Sequence, residues 1–195
     1  VSGHQVVLVR HGQTEWSVAG KHTGGTDIHL TDVGLEQAAQ LGRRLSGWHF
    51  ARVLTSPLAR ASETCMRAGL GDRAEVTDDL REWDYGEYEG LRTLDVREER
   101  PGWDLWVDGT PGGETAAQVG RRADRVVAAA RAADGDVALF AHGHLLRILG
   151  ARWVGLPAEA GRLFALSTAS VSVLGWERET AVIERWNEGA ANPDP

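Results

Sequence analysis

The first pattern along the chain is an unbroken apolar run, "VVLV", rich in valine and followed by Arg10 and His11. A run without polar alternation is what a strand buried on both faces requires, as in a parallel sheet. After the turn-rich residues 12–30 the period changes. In "LTDVGLEQAAQLGRRLSG", Leu35, Ala38, Ala39, Gly42 and Leu45 recur at helical spacing. This predicts a helix with Thr31 as its N-cap, Asp32 in its first turn and Gly47 at its end. "ARVLTSP" predicts a short strand stopped by Pro57, "LARASETCMRAGL" the helix after it, and "AEVTDDL" a weak third strand. Residues 80–113 are rich in acidic, aromatic, Gly and Pro residues and predict loops around one short helix near residues 95–99. "GETAAQVGRRADRVVAAARAADG" predicts a strong helix with Val119, Ala123, Val126, Val127 and Ala130 on one face. "DVALFAHGH" repeats the opening pattern, a buried strand and then polar residues with a glycine, and "LLRILGARWVGL" continues as a helix. "RLFALS", "SVSVLGWE" and "AVIERWN" predict a C-terminal strand meander, and residues 188–195 a loose tail.

Strands that alternate with helices predict a three-layer α/β/α sandwich on a mostly parallel central sheet, one domain over residues 1–195. Ligands of such sheets bind at the carboxyl ends of the strands, where the strand order reverses. Two of the buried strands end in histidines, His11 in "VRHG" and His142 in "FAHGH". If those strands are neighbours, both histidines face one crevice.

Charge and composition narrow the function. The net charge of −7 argues against nucleic-acid or anionic-membrane partners, which need a basic face, while allowing a local positive pocket. No apolar run approaches the ~18 residues of a membrane span, and the opening residues lack a charged-then-apolar leader pattern. The single cysteine, Cys65, excludes an internal disulfide, fits a reducing compartment, and sits in an apolar helical stretch as a small buried hydrophobe. The expected location is the cytoplasm.

Phosphoryl transfer without a metal needs a nucleophile usable near neutral pH, fixed positive charge around the equatorial oxygens, and a proton donor for the leaving oxygen. Histidine suits the first role, because an ordinary pKa of about 6.5 leaves it largely neutral and nearby arginines lower it further. Arginine suits the second through its bidentate fork, and glutamate the third. The candidates are His11, Arg10, Arg60 in "TSPLARASET", Glu82 in "LREWDYGEYEG" and His142. A helix starting at Gly143 would add backbone N–H groups and a positive dipole end. Glu87 and Glu89 compete with Glu82 in the same loop, and residue type alone leaves the choice among them open. The spacing of His142 and His144 could suggest zinc, yet a metal site wants further ligands close by and two arginines repel a dication. No metal or other cofactor is expected. His144 is expected behind the site or on the helix surface, and His22 and His29 in the entry loop, where they either line the pocket or, the preferred reading, stand in solvent.

"LVRHGQTEW", "TSPLARASET", "LREWDYGEYEG" and "FAHGH", in that order, resemble the histidine phosphatase superfamily in its phosphoglycerate mutase-like branch. The resemblance spans residues 6–149. It implies a phosphoglycerate mutase-like fold, His11 as the phosphohistidine, Arg10, Arg60 and His142 as the phosphate pocket, and Glu82 as acid then base. It places Gln13, Ser17, Thr23 and Gly24 against phosphate or substrate from the first loop, with Gly143 beside them, and gives Glu114 in "GGET" a supporting part. Family members are often dimers, for which the C-terminal strands are the candidates.

Three features separate phosphatase from mutase. Trp83 stands where the mutases carry an arginine for the substrate carboxylate. Only residues 91–112 separate the glutamate motif from "GET", without the lysines of the mutase insertion. Ser17 replaces a common asparagine and has shorter reach. The reading is a metal-independent phosphatase acting on a sugar phosphate, a sugar bisphosphate or phosphomonoesters broadly, most similar in pattern to acid phosphatase and sedoheptulose-1,7-bisphosphatase-like members. Phosphoglycerate mutase is the alternative, and a non-catalytic phosphometabolite-binding module the alternative of another class. In the expected mechanism a charged His142 joins the arginines on the phosphate oxygens. The glycine after Arg10 and His11 lets the chain turn away. Trp83, Trp103 and Trp106 either wall the leaving group or pack a flap.

Overall fold

The structure is a computed structural model and describes residues 3–189. Its strands are β1 (Val6–Arg10), β2 (Arg52–Thr55), β3 (Ala74–Val76), β4 (Val137–Ala141), β5 (Val171–Glu177) and β6 (Thr180–Glu188). Its helices are α1 (Glu15–Val18), α2 (Asp32–Leu45), α3 (Ala59–Arg67), α4 (Thr93–Glu99), α5 (Leu105–Asp108), α6 (Ala116–Arg131) and α7 (Gly143–Trp153). The strands form one sheet in the order β3-β2-β4-β1-β5-β6. β1, β2, β3 and β4 pair in parallel, and β5 and β6 continue antiparallel.

The sheet is buried on both sides because helices cover both. Val6, Leu8, Val137 and Leu139 pack with α6 and α7, through residues such as Val119, Val126, Leu145 and Leu149. Val7, Val9, Ala138 and Phe140 pack with α2 and α3, through Leu41, Leu45 and Cys65. Alternate residues of β1 thus feed opposite cores, which explains its unbroken apolar sequence. This is the three-layer α/β/α sandwich expected from the strand–helix alternation. Among the described residues no helix is long and apolar enough to cross a membrane.

Local signals placed most elements. Thr31 caps α2 by accepting from Gly34 N, and Thr115 and Gln118 form a capping box at the start of α6. The buried face of α2 is Gly34, Ala38, Leu41 and Leu45, so Leu35, Ala39 and Gly42 lie at its margin rather than at its centre. "RLFALS" is not a strand. Residues Ala158–Leu163 form a 3₁₀ turn, and the carbonyls after it serve side chains instead of a ladder. Ala165 O accepts from Trp186 Nε1 and Leu166 O from Arg10 Nη1. The short α5 lies in a stretch whose composition predicts loop. The loose tail expected over residues 188–195 falls outside the described residues from 190 onward, and Glu188 still belongs to β6.

One register brings the two histidines together. β1 and β4 align Val6 with Val137 and Arg10 with Ala141, and His11 N extends the ladder to Ala141 O at 3.0 Å. The next residue on each strand is a histidine.

Gly12 departs from expectation. Its φ is not positive, and no turn requires it. A side chain there would strike the Gly34 carbonyl at 2.6 Å, and one on Gly34 would strike the Gln13 carbonyl at 2.2 Å. The two glycines let the start of α2 lie directly on the backbone after His11. Gly34→Ala is therefore expected to destabilise the protein by about 1–3 kcal/mol, as overpacking against rigid backbone does. Denaturant midpoints of the two proteins check this, and an unchanged midpoint refutes it.

Candidate active site

His11 emerges from β1 with 5% of its surface exposed. Its Nδ1 lies 2.7 Å from the Gly12 carbonyl, so Nδ1 carries the proton and donates. Nε2 is left with a lone pair. Burial, then Arg60, then Arg10 hold its pKa well below the usual histidine value, against the opposing pull of the Gly12 hydrogen bond. Gly12 N in turn donates to Thr64 Oγ1 on α3 at 3.0 Å, which pins the loop that orients the ring.

His142 comes directly after β4, as register demands, with its ring 5.3 Å from that of His11. It is fully buried and is not the cation expected of it. Its Nδ1 accepts from Arg60 Nε at 3.1 Å, and its Nε2 lies 2.8 Å from Ser56 Oγ. An Nδ1 that accepts from a guanidinium carries no proton, so Nε2–H donates to the serine and the ring is neutral. Burial, then Arg60 and His11, lower its pKa well below the ordinary value. A second positive charge beside a buried arginine would be too costly to hold.

Arg60, on α3, is also fully buried. Beyond His142 it donates to the carbonyls of Thr26, Thr23 and Gly24 at 2.9–3.0 Å. Four of the five guanidinium N–H groups are thereby used. At most one remains for an anion, so Arg60 does not offer the expected bidentate fork. It clamps the first loop and places its charge beside the two imidazoles. Arg10 faces the cavity and reaches back to Leu166 O at 2.5 Å.

Glu82 sits where the helix dipole was expected to hold phosphate. Its Oε2 accepts from His144 N at 3.0 Å, and its Oε1 from Leu145 N and Trp83 N at 2.9 Å each. The N-terminus of α7 therefore serves the glutamate, and Gly143 alone of its first three residues presents an N–H not spent on that carboxylate. The Glu82 backbone is held as firmly. Arg122 on α6 donates to the carbonyls of Asp79, Arg81 and Glu82 and pairs with Glu114, which accepts from Asp84 N. Glu114 thereby braces the segment that carries Glu82. Arg122 itself carries no signal in the sequence, because a helix arginine looks solvated until its partners are known.

The remaining first-loop residues divide. Ser17 and Thr23 line the cavity. The Ser17 hydroxyl is spent in a capping box, donating to Thr14 O and accepting from Thr14 N, and Thr23 Oγ1 donates to Lys21 O. Gln13 and Gly24 stand outside the cavity wall. Gln13 Oε1 accepts from Thr31 Oγ1, and Gly24 N donates to Glu89. Glu89, passed over as a rival of Glu82, holds Gly24 and Thr26 in place for Arg60. Ser56 is a further residue that sequence reasoning missed. Its signal was a serine directly after the last residue of β2.

A cavity of about 720 Å³ opens over this centre. Arg10, Lys21, Arg97, Arg147 and Arg162 line it against the acids Glu82 and Asp104, so a net acidic chain presents a positive pocket. Arg97 lies in the short segment 91–112, which has no lysine but brings this one basic side chain to the wall. Trp103 and Trp106 are in the wall, whereas Trp83 is fully buried and donates from its indole to Glu114 O. His22 and His144 line the cavity rather than lying in solvent or on the helix surface. His29 is exposed and paired with Glu63. Cys65 is buried, and burial pushes its thiol up to about 12. Among the described residues no cluster of three or more His, Cys, Asp or Glu could hold a metal ion. His142 and His144 turn to Ser56 and Tyr85 respectively.

The profile of the histidine phosphatase superfamily (branch 1) matches residues 6–189. The chain is 45% identical over 190 residues to an acid phosphatase of Mycobacterium tuberculosis, covering 94% of this chain and 93% of that one. It is 38% identical over 183 residues to the sedoheptulose 1,7-bisphosphatase of Saccharomyces cerevisiae, covering 77% and 67%. A solved structure of the product of open reading frame Rv3214 from Mycobacterium tuberculosis superposes with a TM-score of 0.90 at 42% identity, covering 94% and 97%.

His11, His142 and His144 all take up protons only well below the usual value in the fold. In the unfolded chain they do so near pH 6.5. Between those values the unfolded state binds more protons, so stability is full above pH 6.5 and falls as the pH drops below it. Each such histidine can add up to about 1.4 kcal/mol per pH unit to the slope. Urea unfolding at pH 7.5 and 5.5 should give a lower midpoint at 5.5, and equal midpoints would contradict neutral buried rings.

Proposed function

This chain belongs to the histidine phosphatase superfamily, and we propose that it is a metal-independent phosphatase that passes the phosphoryl group of a small phosphorylated metabolite to His11 and then to water. It is a phosphoric monoester hydrolase. The observation that carries the mechanism is the state of His11: a neutral ring, its tautomer set by Gly12, with a lone pair on Nε2 beside buried positive charge.

The substrate phosphate docks in the positive cavity against Arg10 and the amide of Gly143, with the buried charge of Arg60 behind them. Ser17 and Thr23 of the first loop line that cavity, while Gln13 and Gly24 hold the loop from behind it. Nε2 of His11 attacks phosphorus, the N–P bond forms, and the bond to the leaving oxygen breaks. Glu82, which has room on Oε2 for a proton beside its one accepted N–H, supplies that proton to the leaving alkoxide. The ionised Glu82 then takes a proton from water as the water attacks phosphorus. The N–P bond breaks, orthophosphate leaves, and the resting state returns. Neutral His142 takes part through position: it fixes Arg60, whose charge favours the anion. Trp83, buried away from the cavity, cannot meet a substrate carboxylate, which favours hydrolysis over mutase chemistry. The name of the yeast relative supports sugar phosphates as the substrate class, and that of the mycobacterial one phosphomonoesters more broadly. The buried single cysteine supports a cytoplasmic setting, and the free edge at β6 is the candidate for pairing in a dimer.

Phosphate release from sugar phosphates and an aryl phosphate, with a chelator present, tests this. Activity should survive the chelator, and His11→Ala should abolish it together with any acid-labile phosphoenzyme. Wild-type turnover without a phosphoenzyme, or loss of activity to the chelator, refutes the mechanism. Glu82→Gln should cost about 10²–10⁴-fold on sugar phosphates and far less on an aryl phosphate, whose leaving group needs little protonation. An equal loss on both removes Glu82 from the acid role.

A further inference from the structure

The cavity wall holds a pair of side chains that the phosphoryl chemistry leaves unused. Tyr85 Oη lies 2.6 Å from Nδ1 of His144, and both residues line the cavity. The backbone N–H of His144 donates to Glu82 Oε2, so its imidazole is tethered beside the group that protonates the leaving oxygen.

The direction of the Tyr85–His144 bond decides what His144 can offer a substrate. Tyr85 is buried, and burial, aided by nearby Glu82, holds its pKa well above the usual phenol value, so Oη keeps its proton. Among the described residues, Nδ1 of His144 is the partner the structure gives to that oxygen. Were Oη to accept from an Nδ1–H, the phenol proton would be left without an acceptor in a buried place. Tyr85 therefore donates and Nδ1 accepts. Burial, then Arg147 and His22, keep the imidazole neutral, so its single proton is on Nε2.

The surroundings indicate what such a donor meets. The Trp106 ring stands 5.3 Å from His144, and His22 lies 4.8 Å from Tyr85. A neutral N–H among aromatic faces suits a hydroxyl or ring oxygen of a carbohydrate, whose C–H faces pack on rings.

We propose that His144 recognises the leaving group, donating from Nε2 to an oxygen of a polyhydroxylated phosphate ester, with Tyr85 as the positioning residue that fixes its tautomer. This rests on the phosphatase reading. A phenyl phosphate has no acceptor at that place and draws on the phosphate contacts alone.

The test compares kcat/KM for a sugar phosphate with that for phenyl phosphate. His144→Leu should lower the ratio of the two by roughly five- to tenfold, the worth of one neutral hydrogen bond, mainly through KM. His144→Gln, whose amide N–H can stand in for Nε2–H, should recover most of the ratio. Tyr85→Phe should shift the ratio the same way, and the imidazole ¹⁵N shifts of His144 should move from the Nε2–H tautomer towards a mixture. Equal losses on both substrates in His144→Leu, or an Nδ1–H tautomer in the wild type, overturn the inference while leaving the phosphatase reading intact. A wild type that releases phosphate from neither substrate overturns that reading and this inference with it.

Discussion

A guanidinium sealed in the interior, with no ion-pair partner among the described residues, organises this molecule. Arg60 is fully buried, and its acceptors are three carbonyls of the first loop and one imidazole nitrogen. A buried charge is tolerated only when its donors are met and its field is compensated. The loop from Thr23 to Thr26 must therefore fold over it, Glu89 must hold that loop, and His142 must be neutral to accept from it. Burial, joined by the same field, keeps His11 unprotonated. The charge left over is of the sign that attracts a phosphate.

The second device is the use made of a helix start. A helix N-terminus attracts anions, and here the anion it already holds is the carboxylate of Glu82. In the mechanism proposed above phosphate is left to the arginines and the single amide of Gly143, while the helix fixes the glutamate at the edge of the cavity. Arg122 and Glu114 perform the same service for its backbone. Groups that look catalytic in the sequence and groups that look like helix surface thus form one framework. Removing a remote member such as Arg122 would loosen Glu82 without touching its carboxylate.

The cavity reconciles two facts that pull apart in the composition. The chain is acidic, yet five cations face two acids around the site. Many of the chain's acids are engaged on the outer surface in pairs such as Arg125–Asp79 and Arg152–Asp124. Net charge describes the surface as a whole, and the ligand meets only the pocket.

Much was legible in the chain alone. Valine-rich runs marked β1 and β4 because a strand covered on both faces has no polar positions to offer. Thr31 and Thr115 marked helix starts because a side-chain oxygen there meets an orphan N–H. His11, Arg10, Arg60, Glu82 and His142 could be singled out by residue type and order. Their working states could not. That Arg60 spends its donors on a loop more than 30 residues away, that His142 is neutral, that Glu82 occupies the helix start, and that Gly12 serves a backbone contact with Gly34 all depend on atoms distant in sequence. "RLFALS" misled for the same reason: its apolar pattern is local, but its carbonyls are claimed by Arg10 and Trp186. Local periodicity and residue identity determined the elements and the chemistry available. Burial and the allocation of each donor, which exist only after the chain has closed on itself, decided which group carries a proton and which faces the ligand.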